Sequence, residues 1–352
     1  MIAALTSPDQ CNAAWLTAAL DEAGALTGGR VVGVRLAARE TTTSTVARLS
    51  VRYSRGSGGA RPSRLFLKVS SASPKVRLPS DFVLGDVRFY RRIADLDCRL
   101  PVPRCYSAAV GPDERSHLLL EDLSSTHAPV RPGPRTPLER CGRMIECLAD
   151  FHAVWWGRQD LLRRFGPLPS GQEALRYGRS IQERLPGFFR AAGAAMPAAT
   201  RRLYRHAAAR FGPAMATLYQ GENLTLVNGD CHPGNVLLRR GGGGGRIVDW
   251  QFHHIGLWPQ DLMHLLGLCW PPARRRAMEG DLLGRYHRRL ASRGVRGLDW
   301  PLCRRGYLLG MIDNLFMPMW QWTLNMPRTR WASTIPRAVA AVEDLHCLDV
   351  LG

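Results

Sequence analysis

Apolar residues recur at helical spacing over 11–26, and Gly28-Gly29 closes that stretch. The period then shortens. Segments 31–37, 45–53 and 64–70 are rich in Val and Leu and separated by polar or Gly-rich turns such as SRGSGGARPS, which predicts an antiparallel meander. Helical spacing returns over 80–96, and HLLLEDLSS at 117–125 reads as a strand running out into a connector. Residues 126–137 are rich in Pro and Gly, as a linker is. From 138 onward the spacing is helical over 138–156, 173–190, 199–218, 259–269, 277–293, 301–316 and 333–349. One β patch interrupts it: VLLRR (236–240) and RIVDW (246–250) flank a glycine run at 241–245 and predict a hairpin with a loose turn. There is no internal repeat. The pattern predicts an α+β chain, a small antiparallel β-rich part followed by a larger α-helical part.

Composition narrows the class. The 352 residues are 45% hydrophobic and 22% charged, enough for a real core and about two domains. The formal net charge is +19. That balance would ordinarily point to a polyanionic partner. Here only Lys68 and Lys75 are lysines among the 48 basic residues, the rest are Arg, and they are scattered. A coding bias accounts for this as well as a binding surface does, so no nucleic-acid partner is expected. Nine Cys at irregular spacing, without a CxxC pair, fit a reducing compartment. MIAALTSPDQ lacks the basic and apolar regions of a signal peptide, and a cytoplasmic protein is expected. The most apolar long stretch, 306–324, contains Asp313, Asn314, Pro318 and Gln321, which suits a buried helix or pocket wall better than a membrane span.

The densest chemistry is LVNGDCHPGNVLL at 226–238. An apolar strand delivers Asp230 into a loop that also holds Asn235, and the hairpin ends near Asp249. Two carboxylates and an amide oxygen are a hard, oxygen-only set of the kind that suits Mg²⁺ bound with phosphates. Phosphoryl transfer requires such a set together with a group that orients a hydroxyl. The same residues also suit an ordinary hairpin with Asp and Asn as turn formers. Cys231-His232 and His253-His254 are adjacent pairs whose side chains mostly point apart, which argues against zinc. The second signal is Lys68 in LFLKVS, set among Phe66, Leu67 and Val69. A compact ammonium there can touch phosphate oxygens, though an edge-strand solubility role fits too. Asp86, on the following helix, is placed to reach back and hold it; a solvated helix position is the plainer reading.

Taken in order, LFLKV, an acid ahead of RFY, LLLEDLS, NGDCHPGN and IVDWQ resemble the aminoglycoside phosphotransferase and choline kinase-like family, small-molecule relatives of protein kinases. FHAVWWGR (151–158) and AVAAVEDLHCLDVL near the end are similar to stretches of its members. The resemblance covers roughly residues 30–350. It implies a protein kinase-like bilobal fold: an N-lobe over 1–120, a hinge at 121–125 and a helical C-lobe over 126–352. It implies ATP- and Mg²⁺-dependent transfer of the γ-phosphate to a hydroxyl of a small molecule. By resemblance Asp230 orients that hydroxyl, Asn235 and Asp249 hold Mg²⁺, Lys68 contacts the phosphates and Asp86 braces it. Backbone groups from Glu121 to Leu123 would meet the adenine. His232 would order the loop, and Asp261 would be a buried structural acid. Three departures stand out. Asn228 replaces the usual His, Asp86 stands where Glu is commoner, and the phosphate loop RETTTSTVARL has no Gly, leaving hydroxyls such as those of Thr42 and Thr43 to cover phosphates. The loss of His at 228 and of the loop glycines is what a nucleotide-binding pseudokinase would show, whereas retention of Lys68, Asp230, Asn235 and Asp249 favours an active kinase. The glycine run 241–245 is not a P-loop, since no Gly-Lys-Ser/Thr follows it.

The acceptor site is expected in the α-rich part, where Trp320, Trp322 and Trp331 lie near Asp313 and Asn314. Aromatic faces plus one acid suit a sugar ring or an amine-bearing ligand, and equally a helical core filled by Trp. Acids after residue 125 are spread out apart from Glu343-Asp344, so a neutral or weakly charged acceptor is expected over a polycation.

Overall fold

The computed structural model describes residues 2–41, 43–71, 74, 78–219 and 223–352. The chain forms two compact units, one of Met1–Ala128 with Val248–Phe252, the other of Pro129–Ile247 with His253–Gly352.

The first unit is built on a five-stranded antiparallel sheet. Its strands are β1 (Val31–Glu40), β2 (Ser44–Tyr53), β3 (Arg64–Ser70), β4 (Cys105–Val110) and β5 (Ser116–Glu121), in the order β1-β2-β3-β5-β4. Period-two alternation on β3 sends Leu65, Leu67 and Val69 into a core with Leu49 and Leu119. Helix α1 (Ala13–Glu22), capped by Asn12, adds Leu16, Ala19 and Leu20 to that core. The opposite face of β3 carries Lys68. The single helix expected over 80–96 is instead α2 (Ser80–Val83) and α3 (Gly85–Ile93). At the restart a Cβ on Gly85 would lie 2.1 Å from the carbonyl oxygen of Gln251, so the glycine admits the segment 248–252 against the first turn of α3. Strand β4 was not anticipated; every one of its residues is half-buried, so it has no alternation to read. A short strand, β6 (His127–Pro129), follows β5.

The second unit is mainly helical: α4 (Leu138–Trp155), α5 (Gln159–Leu162), α6 (Gly171–Ala192), α7 (Ala198–Ala216), α8 (Pro259–Met263), α9 (Pro272–Ser292), α10 (Trp300–Asp313), α11 (Met317–Thr323), α12 (Arg328–Ala332) and α13 (Ile335–Asp344). Its strands are β7 (Leu224–Val227), β8 (Val236–Arg239), β9 (Gly245–Ile247) and β10 (His254–Leu257). β7 is buried along its length and pairs antiparallel with β10, while β8 and β9 form the expected hairpin. The helix expected over 259–269 runs as α8 to Met263 and continues as one π-helical turn, His264–Leu268. Two expectations are corrected. The hairpin strand stops at Ile247, because Asp249 has a left-handed backbone (φ 62°) that a strand cannot hold. The last helix stops at Asp344 and a 3₁₀ turn, Cys347–Leu351, follows a left-handed His346. Among the described residues, no helix is long and apolar enough to cross a membrane.

Candidate active site

In the first unit the structure brings Lys68, Asp86 and Asp249 together. Lys68 Nζ donates to Asp86 Oδ2 at 2.5 Å and to Asp249 Oδ1 at 3.0 Å. Asp86 is buried, whereas the Asp249 side chain is 44% exposed. Burial pulls the Lys68 pKa down, but the charges of Asp249 and Asp86 outweigh it and hold the ammonium above the ordinary lysine value. For Asp86 burial pushes the carboxyl up while the Lys68 charge opposes it. Beyond the expected Lys68, Asp86 has a second partner, since its Oδ1 accepts the Trp250 N–H at 2.6 Å. Trp250 then stacks on Phe89, ring centroids 4.0 Å apart and planes within 2°.

A cleft of the same unit is lined by Thr43, Ser44, Lys68, Ser70 and Asp86. Thr43 therefore lies at the cleft, and Thr42 lies outside the described residues. In the β1–β2 turn the Thr41 hydroxyl donates to the Ser44 carbonyl, and its oxygen accepts the Ser44 N–H. The hydroxyls that replace glycine here thus first tighten the turn itself. Glu121 closes β5, and its N–H donates to the Arg104 carbonyl at 2.9 Å. Leu123 is buried, and its carbonyl accepts the N–H groups of Thr126 and His127.

In the second unit, buried β7 fixes the approach to the loop 228–235. Asp261, fully buried, accepts the N–H of Asn228 at 2.7 Å and of Gly229 at 2.9 Å, and its Oδ2 meets His152 Nε2 at 3.2 Å. His152 also contacts the Tyr286 hydroxyl at 2.7 Å. Asn228 Oδ1 accepts the Asp230 N–H at 3.2 Å, so the amide does loop work in the position of the expected His. His232 Nδ1 accepts the Gly234 N–H, bracing the turn that presents Asn235. Asn235 Nδ2 donates to the Asp230 carbonyl at 3.0 Å. A carbonyl only accepts, so the amide's orientation is fixed, with its oxygen at the other end. The Asp230 side chain is 30% exposed, and its Oδ1 lies 3.6 Å from His264 Nε2. Burial pushes the His264 pKa down to about 4, with Asp261 opposing and Arg330 adding to the fall. Nothing in DLMHLLG marked His264 in advance; its position three residues after Asp261 was the available signal.

Of the three acceptor candidates, two meet. Tyr177 on α6 donates its hydroxyl to Asp313 Oδ1 at 2.7 Å, and Trp320 Nε1 donates to that hydroxyl at 2.8 Å. The Tyr177 and Trp320 rings lie 5.6 Å apart, nearly parallel. Burial lifts the Asp313 carboxyl to about 7, against the Tyr177 hydrogen bond. Trp322 packs elsewhere, against Phe188. Tyr177, within an unremarkable amphipathic helix, was not singled out from the sequence.

In the first unit Asp249 offers a hard carboxylate oxygen and Lys68 a cation, and in the second unit Asn235 offers an amide oxygen; each taken by itself is a group of the kind that suits a divalent cation or phosphate oxygens. Among the described residues, no group of three or more His, Cys, Asp or Glu could hold a metal alone, so such an ion would complete its shell with phosphate and water oxygens.

The sequence pattern of the phosphotransferase enzyme family matches residues 48–299. Among solved structures the chain is similar to choline kinase from Cryptosporidium parvum Iowa II, with 12% identity over 90% of this chain and 91% of that one, TM-score 0.61. It is similar to macrolide 2′-phosphotransferase type I, with 16% identity over 95% and 98% of the two chains, TM-score 0.53. It is also similar to spectinomycin phosphotransferase, solved with ADP and spectinomycin, with 12% identity over 97% and 100%, TM-score 0.52. At these identities the likeness shows a shared fold. No curated protein sequence matches the chain.

Proposed function

The chain belongs to the phosphotransferase enzyme family, and from that premise we propose that it is an active, ATP- and Mg²⁺-dependent O-phosphotransferase. Membership carries the class of reaction, phosphoryl transfer to a small molecule. The observation that carries the finer reading is Lys68 Nζ held between Asp86 and Asp249 at 2.5 and 3.0 Å. A lysine fixed by two acids is charged at neutral pH and can meet phosphate oxygens as a point charge. In this reading Asp249 and Asn235 hold Mg²⁺, which when bound would offset charge on the transferring phosphoryl group. Thr42 and Thr43 cover the phosphates, and backbone groups at Glu121 and Leu123 meet the adenine. Asp230 orients the acceptor hydroxyl and takes its proton. Asp313 and Trp320, joined through Tyr177, contact the acceptor, a neutral or weakly charged hydroxylated metabolite or antibiotic.

ADP release measured with ATP and Mg²⁺ across sugars, amino-alcohols and antibiotics tests this. In Asp230→Asn, turnover should fall on the order of 10²–10⁴-fold, with ATP binding and melting temperature near normal. Wild-type turnover in Asp230→Asn on a true acceptor would refute the mechanism. ATP binding without turnover of any acceptor would favour the pseudokinase reading.

A further inference from the structure

The arginines scattered along the sequence are not scattered in space. Helices α6 and α7 of the second unit carry eight arginines against two glutamates. On α9 acids answer most of the arginines: Arg275 and Arg276 meet Asp344, Arg285 meets Glu139, and Arg289 meets Asp150. On α6 and α7 they do not. Arg179, Arg190 and Arg202 are exposed and, among the described residues, have no acid within ion-pair distance. Glu173 is bonded to Ser170 and Arg176 at the start of α6, which leaves Glu183 as the exposed acid of the two helices. A coding bias toward Arg would act on both pairs of elements alike; it does not account for acids that accompany one set and desert the other.

The two helices run antiparallel and close. A Cβ on Gly178 would lie 2.8 Å from the Gly212 Cα, so small residues set the nearest approach. Gln182 Nε2 donates to the Ala208 carbonyl at 3.1 Å, and the Arg205 guanidinium lies over the Phe189 ring, 5.0 Å from its centroid. Gln182 and Arg205 are exposed, so these contacts mark the solvent side of the seam. Arg179 lies three positions before Gln182 and Arg190 eight after it, and Arg202 lies three before Arg205, the spacings that keep residues on one helix face. Four guanidinium groups thus flank one seam. Arg179 and Arg190 stand about 16 Å apart along the axis of α6.

We propose that this face of α6 and α7 binds the phosphodiester backbone of a nucleic acid. A guanidinium pairs with phosphate through two parallel N–H bonds, and a duplex offers closely spaced charges to unpaired cations set a few turns apart. A lipid surface suits the face less well. Basic helices that lie on membranes carry large apolar side chains beside the charges. The exposed large hydrophobic residues among those described are Val32, Phe82 and Trp300, none of them on this hairpin. The contacts are with phosphate and so carry no base sequence.

The test is fluorescence anisotropy of the full chain with a labelled duplex, DNA in one arm and RNA of the same sequence in the other. Affinity of wild type should fall about 100-fold between about 50 and 200 mM salt, as release of counterions by four arginines requires. Changing Arg179, Arg190, Arg202 and Arg205 together to Gln should weaken binding more than 100-fold at the lower salt and flatten the salt dependence. Changing exposed Arg30, Arg52, Arg55 and Arg99 of the first unit to Gln removes the same charge and should leave affinity within a few-fold of wild type. Equal weakening in the two variants would make net charge the cause and overturn the inference. So would the absence of binding by wild type, or tighter binding to phosphatidylserine vesicles than to both duplexes. The duplex bound more tightly at equal salt identifies the source of the backbone. A second measurement needs no variant: photo-cross-links from wild type to a thio-base duplex, mapped by mass spectrometry, should fall on peptides of 171–216, and cross-links confined to other segments overturn the inference.

Discussion

Replacing Asp86 tests the Lys68 cluster without any substrate. Its carboxylate accepts two hydrogen bonds, from Lys68 Nζ at 2.5 Å and from Trp250 N–H at 2.6 Å. Asp86 and Trp250 are both buried. Asp86→Ala removes both acceptors at once. A buried donor left unpaired costs roughly 1–3 kcal/mol, and more when it is charged. Breaking a buried ion pair from one side costs about 3–5 kcal/mol. Lys68 retains Asp249 at 3.0 Å, but that carboxylate is 44% exposed and screened, so it offsets only part of the loss. The expected total is therefore about 3–5 kcal/mol. Asp86→Asn keeps the shape but offers a single acceptor oxygen where the site has two donors. One bond survives and the amide nitrogen faces the other donor, so roughly 2 kcal/mol should be lost. Urea unfolding of the full chain, followed by tryptophan fluorescence, gives the order wild type, Asp86→Asn, Asp86→Ala. An Asp86→Ala midpoint within about 0.5 kcal/mol of wild type would refute the two-bond role. Equal losses in the two variants would mean that the charge, and not the pair of acceptors, carries the effect.

Lys68→Arg should weaken ATP binding about 10- to 100-fold, the cost of one charge-assisted hydrogen bond, because a planar fork does not replace a compact ammonium. Isothermal titration showing wild-type affinity would make Lys68 a general positive group. Gly85→Ala should lower stability by about 1–3 kcal/mol, since the added Cβ would lie 2.1 Å from a backbone oxygen with no flexible neighbour to yield; an unchanged melting temperature would contradict that close approach. His117 and His264 are both pushed from 6.5 down to about 4, chiefly by burial, so between those values the unfolded chain binds protons that the folded chain does not, and stability is lost as pH falls. Asp313, raised from 3.8 to about 7, acts in the opposite sense and gains stability as pH falls through that window. Asp313→Asn isolates the opposing contribution: from pH 7 to pH 4.5 its urea midpoint should fall more steeply, or rise less, than that of wild type, and identical profiles would reverse the assignment.

The parts of this chain that sequence exposes are those where residue type and local period agree. Lys68 stands out because it sits on a β strand whose inward positions are Leu65, Leu67 and Val69. Asp230 stands out because an apolar strand runs straight into its loop. The β-rich and α-rich parts separate cleanly because the period changes from two to 3.6. What sequence hides depends on contacts between distant segments. β4 is half-buried throughout and offers no alternation. The need for glycine at 85 comes from a backbone more than 160 positions away, at Gln251. His264 looks like any helical residue, yet the winding widens from α to π at that position. Trp320 and Trp322 look equivalent, yet two positions on a helix point to different neighbours, so only Trp320 meets the Tyr177–Asp313 pair.

The most informative of these distant contacts is the one that places Asp249. The chain leaves β9 at Ile247, turns through a left-handed backbone at Asp249 and packs residues 248–252 with the first unit. A non-glycine residue in that conformation costs about 1–2 kcal/mol and persists only where its surroundings over-determine it. Here they do, and from one face of one helix. Gly85 admits the backbone of Gln251, Asp86 accepts the Trp250 N–H, and Phe89, one turn on, stacks against the Trp250 ring. Full burial of that ring contributes roughly 2–3 kcal/mol or more, which offsets the strain next to it. The acid that anchors Trp250 is also the acid that holds Lys68. Lys68 and Asp249 therefore share a support, and their 3.0 Å contact is the visible consequence. A disturbance on this face of α3 reaches the ammonium and the carboxylate together, which is why Asp86, away from any transferred atom, is a more searching probe of the site than either group it positions.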